Sequence, residues 1–169
     1  MALSSVAKTL YDGSLGVKDG TGTPLTCQVR WSQGDFSAAG FKHKLNTVAN
    51  YQSRGVIVSS RYTERETVTG SFSALVSDFS EATAGTLQDL ILGVGAYSAR
   101  VSTIDGDVMA FDMTYTIEAT DLGDSDDCTF TMEDCIISWD FGEGDPDTVS
   151  FSFECIGAIT GDWAIALLS

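Results

Sequence analysis

The pattern that most limits how this chain can fold is an apolar/polar alternation with a period of two, repeated in short segments. Met109, Phe111, Met113, Tyr115 and Ile117 share one parity, and Asp112, Thr114, Thr116 and Glu118 share the other. Val149, Phe151, Phe153 and Cys155 alternate in the same way with Ser150, Ser152 and Glu154, and Leu25, Cys27, Val29 and Trp31 with Thr26, Gln28, Arg30 and Ser32. Successive strand side chains point to opposite faces, so each segment predicts a strand with one packed face. A helical period occurs once. Leu87, Leu90, Ile91 and Val94 stand at i, i+3, i+4 and i+7, which predicts a helix over 80–92, with Ser80 as cap and Gly93 as stop.

The turn residues between these runs divide the chain into hairpins. Leu15 and Val17 lead through the loop Asp19–Pro24 into the Leu25–Trp31 strand. Arg54–Thr63 and Thr67–Leu75 flank the charged turn Glu64–Glu66 and predict a second hairpin. Tyr97, Ala99 and Val101 lead to Asp105–Gly106, a tight-turn pair, and predict a third. A fourth runs from about Asp127 to Ile159 and turns at Gly144–Asp147. Its first strand changes apolar parity between Met132 and Cys135, which predicts a β-bulge near Asp134. The tail Asp162–Leu168 is a candidate closing strand. Residues 34–53 have no clean period and predict a long projecting loop or extended hairpin. With 169 residues the whole of 1–169 fits a single domain. The expected fold is mainly β: a β-sandwich or barrel of about eight strands with one flanking α-helix and the long projecting loop.

Charge is strongly segregated. Residues 1–60 carry a balance of +3 and residues 61–169 one of −18, giving −15 in all. No Lys or Arg follows Arg100, while 16 carboxylates do. That excludes a cationic footprint for specific nucleic-acid binding. The first ten residues do not read as a secretory leader, and no apolar run approaches the roughly 18–20 residues of a membrane span, so no membrane partner is expected.

Searches for chemistry return little. The single histidine, His43, lies between Lys42 and Lys44, and no G-x-S-x-G accompanies it. Acidic pairs such as Asp105/Asp107 and Glu133/Asp134 lack any sign of a cleft. The acidic turns Asp121–Asp127 and Asp140–Asp147 do not match calcium-loop spacing. Cys27, Cys128, Cys135 and Cys155 form no C-x-x-C pair and read as buried reduced thiols. No catalytic residue, metal site or cofactor is expected, and the chain is not expected to be an enzyme.

An ordered set of landmarks carries a resemblance. A strand ends at Trp31, Gly34-Asp-Phe-Ser37 follows, and after a variable stretch come Arg54-Gly55, Ser60-Arg-Tyr62 and Val68-Thr-Gly-Ser-Phe-Ser73. This series resembles the tail tube proteins of long-tailed phages and phage-like gene transfer agents. The resemblance implies a protomer that forms hexameric rings, stacked into a tube through which DNA passes. The partners it implies are further copies of the chain, other tail proteins and DNA in transit without specific binding. The place it implies is a virion tail assembled in the host cytoplasm. An anionic wall would keep DNA from sticking, and the polar alternates Asp112, Glu118, Glu133 and Glu154 are the lumen-facing candidates. Lys42, His43, Lys44 and Arg54 are the candidate cations for contacts between subunits, within the candidate inter-subunit loop 34–53 and just beyond it. Two alternatives stay open. One is a β-sandwich binding module for carbohydrate using Trp31, Trp139 and Trp163. The other is a different phage structural part, such as a tail terminator or head decoration protein.

Overall fold

The alternating segments become strands of one large sheet. The computed structural model describes residues 13–29, 36–40, 46–75, 85–117, 127–142 and 148–161. In chain order the elements are β1 (Gly13–Lys18), β2 (Thr26–Val29), β3 (Ser37–Ala39), β4 (Asn46–Ser53), β5 (Val56–Arg65), β6 (Val68–Leu75), α1 (Leu87–Leu92), a 3-10 turn (Gly95–Tyr97), β7 (Phe111–Ile117), β8 (Cys128–Gly142), β9 (Thr148–Cys155) and β10 (Ile159–Gly161). The protein is mainly β, as its periodicity predicts. Eight strands form an antiparallel sheet in the order β2-β1-β7-β8-β9-β6-β3, with β10 also paired to β8; β4 and β5 form a separate two-stranded ribbon. The large sheet is not closed into a barrel, since its path ends at β2 and β3. It curls instead. Phe36, just before β3, stacks on Tyr115 of β7 at 4.7 Å and on Phe153 of β9 at 5.8 Å between ring centroids. The apolar parity lies inside the curl: Leu15, Val17, Phe72, Phe111, Met113, Met132, Phe151 and Phe153 are buried, and Leu87 and Leu90 of α1 join them.

The bulge falls where the parity change places it. Asp134 has φ 53, and its N–H donates to the Asp112 carboxylate at 3.2 Å. Aspartate tolerates this left-handed backbone better than most residues. The pairing of β7 with β8 shifts register between Phe111 and Met113, opposite the bulge. One extra residue in β8 thus returns both Met132 and Cys135 to the core face.

Three expectations change. β5 pairs with β4, not with β6, which pairs with β9 and β3. Tyr97–Val101 is not a strand: Tyr97 ends a 3-10 turn and is buried, with its hydroxyl donating to the Thr26 carbonyl at 3.2 Å. Helix α1 starts at Leu87, because Thr86 has an extended backbone and forms a capping box with Asp89. Residues 80–84 lie outside the described residues, as do Gly144–Asp147 and the tail 162–168. The stretch 34–53 holds β3 and β4, and β4 with β5 is the extended hairpin that was one of the two forms expected of it.

Asp19 anchors the β1–β2 loop. It is buried and accepts from the N–H of Leu25 at 2.7 Å, the Thr21 hydroxyl at 2.9 Å and the N–H of Val101 at 3.0 Å. Burial works to raise its carboxyl, but these donors outweigh it and hold the group below its ordinary value. The loop and the segment after the 3-10 turn meet closely, and a Cβ on Gly20 would run into the Ser102 carbonyl.

Candidate assembly surfaces

The β4–β5 ribbon stands apart from the sheet. Arg54 and Gly55 form its tip with φ 48 and φ 83, the pair of left-handed residues that a two-residue hairpin turn of type I′ requires. Ser53 faces Val56 across the turn, and the register then runs to Tyr62 opposite Val48, with an irregularity between Tyr51 and Gln52 that leaves Val58 as the extra residue. Residues 50–63 are all exposed, so along this stretch both faces of the ribbon are open to water. Its side chains are nonetheless apolar to an unusual degree. Val56 and Val58 are 67% and 68% exposed, and Val48, Tyr51, Ile57 and Tyr62 are also exposed. Arg61 lies over the Tyr51 ring, and Ser60 donates to Asn50 at 2.6 Å. Those local contacts are small beside the apolar surface left in water, and an isolated two-stranded ribbon is marginal at best.

The polar face of the large sheet is built mainly from hydroxyls. Ser37, Ser71, Ser152 and Ser138 stand opposite one another on β3, β6, β9 and β8, with hydroxyl contacts of 3.2 Å between Ser37 and Ser71 and 2.8 Å between Ser138 and Ser152. Thr114 meets Thr131, and Thr116 meets Thr129, each at 3.2 Å. Charge on this face gathers near the bulge, on three successive strands. Asp112 on β7 pairs with Lys18 of β1 at 3.4 Å. Glu133 on β8 precedes the bulge residue and is half-buried. Glu154 on β9, opposite Ile136, is exposed and accepts from the Thr67 hydroxyl at 2.7 Å. Three of the four candidate carboxylates therefore share one face, while Glu118 lies outside the described residues.

Of the candidate contact cations, Arg54 sits at the ribbon tip; Lys42, His43 and Lys44 lie outside the described residues. Trp139 is half-buried against the core, while Trp31 and Trp163 lie outside the described residues. The apolar ribbon residues Val48, Tyr51, Val56, Ile57, Val58 and Tyr62 were not among the sequence candidates. A signal for them was present: Arg54-Gly55 divides two runs of similar length, and Val56-Ile57-Val58 breaks the alternation that a half-buried strand keeps.

No protein-family model matches the sequence, and no curated protein matches it. Solved structures do. A chain of the sheath/tube terminator of an extracellular contractile injection system, PVC, in its extended state, is similar with a TM-score of 0.62 at 11% identity, over 95% of this chain and 99% of that one. A chain of the PVC sheath-tube complex in its extended state gives 0.56 at 10% identity, over 94% and 93%. At such identity the likeness is one of fold, and this protein has a fold found in chains of an extracellular contractile injection system.

Proposed function

We propose that this chain is a structural subunit of a phage-tail-like tube, without catalytic activity, that joins copies of itself into stacked hexameric rings. The observation that carries this reading is the β4–β5 ribbon, which presents valines, an isoleucine and tyrosines to water along residues 50–63. Such a surface is suited to burial against a second copy of the chain. In this reading the ribbon reaches a neighbouring subunit, with Arg54, Lys42, His43 and Lys44 meeting acidic surfaces. Asp112, Glu118, Glu133 and Glu154 contribute an anionic lumen that lets DNA pass without holding it. The particle is a virion tail, assembled in the host cytoplasm with other tail proteins.

A second reading, a tail terminator, is favoured by the higher TM-score with the sheath/tube terminator chain than with the sheath-tube complex chain. Negative-stain electron microscopy of the concentrated protein tests both. Stacked tubes are the expected result. Single rings that do not stack would favour the terminator, and a monomer at every concentration would overturn self-assembly.

A further inference from the structure

Cys135 and Cys155 stand directly opposite each other on β8 and β9. The N–H of Ile156 donates to the Asp134 carbonyl at 3.2 Å on the flank of this pair, which makes it a non-hydrogen-bonded position of the ladder. At such positions antiparallel Cα atoms approach to about 4.5 Å, within the roughly 4.4–6.8 Å that a disulfide spans. Both side chains point into the core and are buried. The thiols donate to backbone carbonyls: Cys155 to Glu133 at 3.2 Å and Cys135 to Met132 at 3.5 Å. Cys27 faces Val17, and Cys128 faces Ile117.

We infer that Cys135 and Cys155 form a covalent modification site, a thiol pair that a small peroxide converts to an intramolecular disulfide joining β8 to β9 beside the bulge. One thiol takes an oxygen from hydrogen peroxide to become a sulfenic acid, and one water leaves. The other thiol attacks that sulfur, the S–S bond forms, and a second water leaves. In sum, two thiols and one peroxide give one disulfide and two waters. Burial sets the rate, because the oxidant enters only when the ladder opens locally. Burial also protects against over-oxidation, since the partner thiol is already in place when the sulfenic acid forms. The chemistry is independent of any role in a tube.

The test is peroxide treatment of the native full chain, followed by alkylation under denaturing conditions and peptide mapping. Trypsin cannot separate the thiols, because no Lys or Arg follows Arg100, so a protease that cuts at acidic residues is used. The expected product is a peptide pair joined through Cys135 and Cys155, two hydrogens lighter than the reduced form and restored by dithiothreitol, with Cys27 and Cys128 still alkylated. A C27S/C128S variant should respond in full and C155S should not. Oxidation confined to Cys27 or Cys128, covalent dimers, or an unchanged pair even in mild denaturant that admits the oxidant would each overturn the proposal. The mapping of the unmodified sequence decides it even where a variant fails to fold.

Discussion

Asp19 shows how one side chain can hold two loops together. Its two carboxylate oxygens serve Leu25 and Thr21 on one side and Val101 on the other. Asp19→Asn keeps the size but turns one oxygen into a donor that must face an N–H or hydroxyl. The expected loss is about 1–3 kcal/mol in urea unfolding, the usual cost of a buried group left unsatisfied. The pH dependence follows from its lowered carboxyl value. The unfolded chain binds a proton near about 3.9, so the stabilisation is complete above that value and is lost as pH falls through the lower folded one. Unfolding titrations of the native chain should show this acid-side loss, and Asp19→Asn should flatten it; equal slopes would mean that the carboxylate is not responsible.

At the scale of elements, the ribbon and the bulge illustrate what periodicity can and cannot reveal. Changing Val56, Ile57 and Val58 together to Ser should abolish assembly by sedimentation while leaving the circular dichroism and melting of the protomer nearly unchanged, since exposed substitutions usually fall within about 0.5 kcal/mol. Lys42, Lys44 and Arg54 changed to Glu should weaken assembly less, because exposed ion pairs contribute only about 0–1 kcal/mol each. The bulge at Asp134 was legible because a parity change between Met132 and Cys135 has few other meanings in a strand. The β1–β2 and β8–β9 hairpins were legible for the same reason, with alternation on both sides of a turn. The ribbon was legible only in part, as the extended hairpin expected of 34–53, because alternation reports burial and residues 50–63 are exposed on both faces. Its strand β5 therefore looked like a partner for β6, the next apolar run. Tyr97–Val101 misled in the opposite way: Tyr97 reaches the core from a 3-10 turn, with its ring beside Gly85 and its hydroxyl on the Thr26 carbonyl, so its burial does not come from a strand of its own. The candidate carboxylates were found by parity alone, and parity also explains why Asp112, Glu133 and Glu154 share a face. It could not foresee that Lys18 lies beside Asp112, which depends on β1 pairing with β7 across a long stretch of sequence.

For the whole molecule, a net charge of −15 opposes any close approach of copies. Raising salt from about 0.01 M to about 1 M shortens the screening length from roughly 30 Å to roughly 3 Å, and apolar burial is not weakened by that change. Assembly followed by light scattering should therefore increase with sodium chloride; dissociation at high salt would show that ion pairs, not the ribbon's apolar side chains, hold the copies together. The ribbon has one more consequence. Only Glu66 and Thr67 separate β5 from β6, so about 20 residues of nearly continuous extended chain, roughly 65 Å at strand rise, run from the Arg54–Gly55 tip into the sheet. A pull on that tip along the strand axis reaches the β6–β9 ladder, which spans Val68 to Leu75. Ladder hydrogen bonds lie across the strand direction, so the load meets them in shear, shared along the ladder instead of breaking them one at a time. Mechanically, the arm is a tether made fast along the whole length of a strand, not a flap hinged at a single point.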